Sequence, residues 1–103
     1  MKVEIVASRL FVDAFLREFI RTTVQFATWS ASRLVESVEV TLRRLPDGRV
    51  RCDLVTTIEG APGVFVSAAA EADSDAIQRA ADKLEVELFG ASSPRRGGDR
   101  VAA

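Results

Sequence analysis

The sequence predicts a two-layer α+β domain, in which a four-stranded mixed sheet carries two helices on one face. Four segments with alternating apolar residues indicate strands, and two segments with helical periodicity indicate helices. Their order along the chain is β-α-β-β-β-α. A length of 103 residues and a hydrophobic content of 48% fit one small domain with a packed core.

The N-terminal part of the chain is predicted to form a strand at residues 2–6 and then a helix. Asp13 fits the N-cap of a helix that runs to about Trp29. Phe26 and Trp29 can stack on nucleic-acid bases, but at the end of an apolar stripe we expect them to belong to the core. The apolar positions expected on the buried face are Phe15, Leu16, Phe19, Ile20, Phe26 and Ala27. The polar residues expected largely on the other faces are Arg17, Glu18, Arg21, Gln25 and Thr28.

The central hairpin is specified by its turn and by the alternation of its strands. Residues 46–48, Pro-Asp-Gly, fit a type I turn followed by a glycine in the left-handed region, which makes a three-residue loop. Pairing Leu45 with Arg49 keeps the apolar residues of both strands on one face and places Arg43 directly opposite Arg51. The residues expected to point inward are Val38, Val40, Leu42, Val50, Cys52, Leu54 and Thr56.

The C-terminal half is predicted to contain a turn at residues 59–63, a strand at 64–70 and a second helix. Asp73 or Ser74 is expected to cap this helix. Outward-pointing apolar residues of the sheet, if exposed, would favour a protein interface. These residues are Val6, Val55, Phe65 and Ala69. The apolar stripe of the second helix consists of Ile77, Ala80, Ala81, Leu84 and Leu88.

Gly90 is expected to end the second helix, since glycine is the preferred residue just beyond a helix C-terminus. Residues 90–103 have the composition of a disordered tail, so that the folded domain is predicted to span residues 1–89.

The strand directions of the sheet follow from the connections between strands. The right-handed crossover of the first β-α-β unit makes its two strands parallel neighbours, and the later hairpins are antiparallel.

The net charge of −1 is unevenly distributed along the chain. Residues 1–52 carry +3, residues 53–89 carry −6 and residues 90–103 carry +2. Such a charge asymmetry can steer a polyanion toward one side of the molecule, although ordinary surface solvation also accounts for so modest a separation.

No apolar run is long enough to span a membrane, and the N-terminus lacks a signal-peptide core. A single cysteine, Cys52, fits a reducing cytoplasm and is expected to be a small buried hydrophobe.

The residue content argues against an enzyme. The chain has no histidine, and a domain this small gives no indication of the paired carboxylates in a pocket that acid–base catalysis would then need. Asp73, Asp75 and Asp82 do not predict a cation site, because the first two are helix-start residues and three carboxylates in sequence rarely suffice. We therefore expect no catalytic residue, no metal, no cofactor and no small-molecule substrate.

Two sets of basic residues are candidates for contact with RNA. Arginine forks suit phosphate, and the predicted register gathers four of them at one hairpin, although they can also simply keep an exposed hairpin soluble, with Glu39 and Asp53 as partial neutralisers. The second set lies on the helices, where Glu18 and Asp82 can pair with it and solvation is the simpler explanation. The hairpin set is Arg43, Arg44, Arg49 and Arg51, and the helix set is Arg17, Arg21, Arg79 and Lys83.

Several segments, taken in order, resemble the ribosome hibernation-promoting factor family, also called ribosome-associated inhibitor A or sigma-54 modulation proteins. They are M-K-V-E-I at the start, F-L-R-E-F-I in the first helix with Trp29 closing it, R-V-R-C-D-L-V-T-T-I, V-F-V-S-A-A-A-E and A-I-Q-R-A-A-D-K-L-E-V-E-L. The resemblance covers nearly all of residues 1–89. It implies a fold similar in outline to double-stranded-RNA-binding domains, and binding to the 16S rRNA of the small ribosomal subunit, where these proteins occlude the mRNA and tRNA sites.

The chain has fewer basic residues on its helices than members of that family usually carry. The first helix keeps Arg17 and Arg21 but then offers threonines and glutamine, and the last ends in an acidic and apolar segment. Phosphate contacts supply most of the affinity in binding of this kind. A second interpretation therefore remains open, in which the chain keeps the fold but serves as a protein-interaction module or homodimer. An independent binder of double-stranded RNA is a third, which the low net charge disfavours.

Overall fold

A computed structural model of the protein describes residues 1–92, with side chains through Phe89. It contains four strands, two α-helices and one short 3₁₀ helix, in the predicted order β-α-β-β-β-α, and the α+β fold class is confirmed. The elements are β1 (Lys2–Ser8), α1 (Ala14–Ala27), the 3₁₀ helix (Trp29–Ala31), β2 (Val35–Arg44), β3 (Val50–Ile58), β4 (Val64–Ala70) and α2 (Asp73–Ser92).

The four strands form one mixed sheet in the order β1-β2-β3-β4. As predicted, β1 and β2 run parallel because α1 crosses between them, and the two following pairs are antiparallel. The helices pack on the face formed by the even-numbered positions of β2 and β3, including Leu42, Cys52 and Leu54. The opposite face of the sheet carries no helix among the described elements, and we call it the open face.

The core lies between the sheet and the two helices, and its sheet side is as the alternation predicts. All seven inward residues of β2 and β3 named above are 1% exposed or less. From the helices, Ile20, Ile77 and Leu84 complete the core. Cys52 is buried as expected, and its burial, with the nearby charge of Asp53, raises the pKa of the thiol to about 12.

The prediction for the buried face of α1 is wrong at three aromatic residues and is confirmed at a fourth, Phe19, which packs against the core. Phe15, Phe26 and Trp29 are 85%, 76% and 78% exposed. The fully buried face consists of Ile20, Val24 and Ala27, with Leu16 and Phe19 half-buried beside it. The apolar residues of this helix cover more than one face, and only the narrower aliphatic stripe meets the sheet.

Thr28 is expected on a polar face of α1, but the structure buries it fully. Its hydroxyl donates a hydrogen bond of 2.9 Å to the carbonyl of Val24, one turn earlier. A buried hydroxyl is tolerated when the preceding turn accepts its proton. Thr28 therefore packs at the end of α1, and Trp29 turns outward into the 3₁₀ helix.

The start of α1 agrees with the prediction from the sequence, whereas the start and the end of α2 differ from it. Asp13 caps α1 as predicted, since its carboxylate accepts a 2.8 Å hydrogen bond from the backbone N–H of Leu16. The helix α2 begins at Asp73, so Asp73 and Ser74 lie in its first turn rather than at a cap before it. It continues to Ser92, and Gly90 therefore does not end it. The rest of the predicted tail, residues 93–103, lies outside the described residues, and its disorder stays a prediction.

Thr56 is a polar residue in the core whose hydroxyl finds no hydrogen-bond partner within residues 1–92. An unpaired buried hydroxyl costs about 1–3 kcal/mol, and valine has nearly the same shape. We therefore expect Thr56→Val to increase the free energy of unfolding by about 1 kcal/mol, measured by urea denaturation. Thr57→Val, on the open face beside it, is the matched control and should give a smaller gain; an equal gain would point to strand propensity instead.

Candidate nucleic-acid interface

The tip of the β2–β3 hairpin has the geometry that its sequence predicts. The backbone N–H of Leu45 donates to the carbonyl of Arg49 at 2.8 Å, and the N–H of Gly48 donates to the carbonyl of Leu45 at 2.9 Å. Gly48 has φ of 91°, in the region that favours glycine. Arg43 pairs with Arg51 across the strands, and the predicted register is confirmed.

Two arginines therefore lie opposite each other on the open face, and Asp53 is placed to compensate their repulsion. The Nε of Arg51 is 2.8 Å from an oxygen of Asp53, which also accepts a 2.6 Å hydrogen bond from the hydroxyl of Ser67 on β4. Burial raises the pKa of Asp53. The hydrogen bonds from Arg51 and Ser67 and the positive charges of Arg51 and Arg43 lower it by more, so the pKa of this carboxyl lies below its ordinary value. Asp53 is therefore ionised at neutral pH.

The other two hairpin arginines surround the turn itself. Arg49 forms an ion pair of 2.9 Å with Asp47, and hydrogen bonds from the backbone N–H and guanidinium of Arg49 lower the pKa of that carboxyl. Arg44 donates from Nη1 to the carbonyl of Gly48 at 3.1 Å. These contacts are exposed, so solvent and salt screen them. The hairpin end therefore presents guanidinium groups that are oriented and remain accessible.

Arg9 joins this group, although no pattern in the sequence marks it as a candidate. Ser8, the last residue of β1, pairs with Arg43, so Arg9 follows at the same end of the sheet. Its φ of 59° is the left-handed conformation, which turns the chain away from β1. The parallel pairing of β1 with β2 was predicted, but its register was not, and register is what places Arg9 there. We call these five residues the basic edge: Arg9, Arg43, Arg44, Arg49 and Arg51.

The four helix candidates form one pair on each helix, in the helix layer, whereas Arg43 and Arg51 of the basic edge lie on the open face of the sheet. The groove between the helices is lined by Thr22 and Phe26 of α1. At 100° per residue, Arg17 lies on the opposite side of α1 from Phe26, and Arg21 lies one turn after Arg17. Lys83 lies instead beside β4, where its ammonium donates a 2.8 Å hydrogen bond to the carbonyl of Ser67.

Arg79 and Lys83 share one side of α2, and the groove side of that helix is acidic. The groove is lined on the α2 side by Gln78, Asp82 and Glu85. Carboxylates at this position repel phosphate, so the space between the helices is unsuited to an RNA backbone. Within residues 1–92, the basic edge therefore holds four of the eight candidates, and the other four form one pair on each helix.

The open face of the sheet also exposes apolar residues, as the sequence predicts. Val6, Val55 and Phe65 are 48%, 42% and 59% exposed, and Val55 pairs directly with Phe65. Ala69 is half-buried beside them. These residues adjoin the arginines of the hairpin on one continuous surface.

Other kinds of site find little support in the described part of the chain. No group of three or more histidine, cysteine, aspartate or glutamate residues within residues 1–92 is arranged to hold a metal ion. Over the same residues, no helix is both long and apolar enough to cross a membrane.

Comparison with known proteins finds similarity in structure and not in sequence. No family model matches the chain, and no curated protein matches it significantly. A ribosomal subunit interface protein from Coxiella burnetii superposes with a TM-score of 0.81 at 12% identity, over 89% of this chain and 98% of that one. The N-terminal domain of Protein Y from Thermus thermophilus gives a TM-score of 0.72 at 20% identity, over 85% and 96% of the two chains.

The chain has the fold of a ribosomal subunit interface protein. The resemblance seen in the sequence is thereby confirmed at the level of the fold, over nearly the whole length of both solved structures. At identities of 12% and 20% the likeness concerns the backbone path, and the basic residues of this chain stay candidates on their own geometry.

Proposed function

We propose that this chain is a ribosome-associated inhibitor of translation, which binds the 16S rRNA of the small subunit and occludes the mRNA and tRNA sites. The observation that carries the proposal is the full-length agreement in fold with a ribosomal subunit interface protein. The segments of sequence that resemble the hibernation-promoting factor family support it independently. In this proposal the protein is cytoplasmic, acts without catalysis and needs no cofactor.

The basic edge supplies the chemistry that such binding needs. Five arginines lie at one end of the sheet, and the two aspartates beside them, Asp47 and Asp53, form ion pairs with Arg49 and Arg51. Guanidinium groups bind phosphate oxygens through paired N–H donors, and an exposed site releases the counterions of the RNA. We place the main contact with rRNA at the basic edge, with Arg17 and Arg21 as a secondary contact.

Co-sedimentation with small ribosomal subunits across a salt series tests this proposal. We expect the wild-type chain to bind at low salt and to dissociate steeply as salt rises. Arg43→Ser/Arg51→Ser should weaken binding at every salt concentration. It should also reduce the slope of the logarithm of the binding constant against the logarithm of the salt concentration by about 1.5 to 2, because two phosphate contacts are lost.

A matched control removes the same charge from the other end of the sheet. Lys2→Ser/Arg33→Ser changes two exposed basic residues that lie far from the basic edge, and it should leave the slope nearly unchanged. Unchanged co-sedimentation of Arg43→Ser/Arg51→Ser at low salt would rule out the hairpin as the contact.

The exposed pair of Val55 and Phe65 favours a second candidate function, a protein-interaction module or homodimer. Apolar residues grouped on an open sheet face usually mark an interface. Absence of ribosome binding at any salt, together with a dimer in solution that Phe65→Ser disrupts, would favour this candidate over the first.

A further inference from the structure

Three rows of paired residues cross the open face of the sheet from β1 to β4. The acidic row is Glu4, Glu39, Val55 and Phe65, the middle row is Val6, Thr41, Asp53 and Ser67, and the basic row is Ser8, Arg43, Arg51 and Ala69. Neighbouring rows are two residues apart along each strand, so the acidic and basic rows are about 13 Å apart. The open face is therefore negative and apolar at one end and positive at the other.

This arrangement is complementary to itself. Two sheets can stack face to face with their strands aligned and antiparallel, and a twofold axis along the middle row then lays the acidic row of each copy on the basic row of the other. Glu39 faces Arg43 of the second copy, and the large side chain of Phe65 faces the small one of Ala69. A twofold axis along the strands would instead lay Arg43 on Arg51, which like charges disfavour.

Two exposed charges gain an ion pair in this dimer, and the polar groups at its centre keep their partners. Glu39 and Arg43 are exposed and form no ion pair among residues 1–92. Asp53 lies near the axis, where its carboxylate already accepts hydrogen bonds from Arg51 and Ser67. It can therefore be covered without losing a partner, as buried polar groups require.

The size of the open face indicates a weak and reversible dimer. Four strands about 4.8 Å apart, of which the outer two have seven residues each, form a face of about 19 by 23 Å. Two such faces bury on the order of 1,000 Å² in total, which is typical of transient interfaces. Val6, Val55 and Phe65 are 42% exposed or more and supply the apolar contact.

We propose that the chain forms a homodimer through its open face, and that this dimer masks Arg43 and Arg51 of the basic edge. The masking rests on the proposed function, because it has a consequence only where these arginines bind rRNA. A high concentration of free chain favours the dimer, and rRNA competes for the same arginines and draws monomers from it. Self-association and ribosome binding are then two states of one protein.

Sedimentation velocity of the free protein tests the pairing of the open faces. We expect the fraction of dimer to rise with protein concentration. Arg43→Glu and Glu39→Arg should each raise the dissociation constant at least about tenfold, because each change turns two ion pairs into two repulsions. An equal mixture of these two variants should form dimers again, since the substituted residues then face each other with opposite charge.

Arg44→Glu is the matched control for Arg43→Glu, because it makes the same change of charge one residue further along β2. Arg44 donates to the carbonyl of Gly48 in the turn and does not belong to the basic row. Its reversal should leave the dissociation constant nearly unchanged.

A crosslink at the twofold axis provides a second test, which does not depend on affinity. The two copies of Thr41 face each other across the axis, so a short, reducible bis-maleimide should join Thr41→Cys into a dimer. Thr57→Cys is the matched control on the same face, because Thr57 lies four residues from Asp53 and its two copies would be about 26 Å apart. Cys52 is buried and should not react.

Co-sedimentation with small ribosomal subunits then tests the masking. The crosslinked Thr41→Cys dimer should fail to bind at low salt, and reduction of the crosslink should restore binding. A crosslinked dimer that binds as well as its reduced form would overturn the masking. If neither form binds, the ribosome proposal fails, while the pairing of the open faces stands on the measurements with the free protein.

Four outcomes would overturn the pairing itself. They are a monomer at every concentration, equal effects of Arg43→Glu and Arg44→Glu, a mixture of Arg43→Glu and Glu39→Arg that forms no dimer, and equal crosslinking of Thr41→Cys and Thr57→Cys. None of these measurements uses ribosomes, so each leaves the ribosome proposal untouched.

Discussion

Leu54→Ala is expected to lower the free energy of unfolding by about 3–4 kcal/mol, a large share of the total stability of a domain this size. Leu54 is fully buried in the core and lies on a central strand, where neighbouring backbone is held by β2 and β4 and cannot move in to fill the space. Removing its side chain costs the transfer of the lost atoms and leaves a cavity.

Val55→Ala is the matched control for Leu54→Ala, because the next residue of the same strand points to the open face. Val55 is 42% exposed, and we expect its truncation to cost less than about 1 kcal/mol. Urea denaturation followed by circular dichroism measures both changes. Equal losses would contradict the placement of the two faces of the sheet.

The hairpin could be predicted in detail because its determinants are local. The turn residues at 46–48 permit few backbone conformations, and the even-numbered apolar positions of both strands allow one register within that turn. The opposition of Arg43 and Arg51 follows from these two facts alone. The way in which Asp53 compensates the repulsion between these arginines could not be predicted. The hydrogen bond from Ser67 to Asp53 joins residues 14 positions apart and depends on the pairing of β3 with β4.

The face of α1 could not be predicted reliably, since its apolar residues span more than one side of the helix. Spacing alone treats Phe15 and Phe26 like Ile20 and Ala27, and only the approach of the sheet and of α2 decides which set is covered. The wrong prediction assigned to the core aromatic side chains that the structure exposes, among them Phe26 in the groove between the helices.

The separation of the helix candidates has the same physical origin. Periodicity places Arg21 and Arg79 on helix surfaces, but it does not determine which flank of its helix each residue occupies. The groove between the two helices brings Asp82 and Glu85 inward and leaves the basic residues outside. The largest group of positively charged residues therefore lies at the basic edge, and negative charge lines the groove between the helices, which a count along the sequence does not show.

Arg43→Glu/Arg44→Glu is expected to weaken binding to small ribosomal subunits by at least about 100-fold at 0.1 M salt. Neither residue forms a direct ion pair with a carboxylate among the described residues, so reversal removes no existing ion pair. Two attractive contacts are lost and two repulsive ones replace them. Dissociation constants from co-sedimentation measure the change, and an unaltered urea midpoint establishes that the variant is folded.

Arg79→Glu/Lys83→Glu reverses the same amount of charge on α2 and serves as the comparison. We expect it to weaken binding less than about tenfold, because Asp82 and Glu87 already surround these residues and the ammonium of Lys83 is held by Ser67. If this variant loses more affinity than Arg43→Glu/Arg44→Glu, the rRNA contact lies on the helix layer, and the arginines of the basic edge only keep the hairpin soluble. Net charge is equal in the two variants, so only the position of the contact can produce a difference between them.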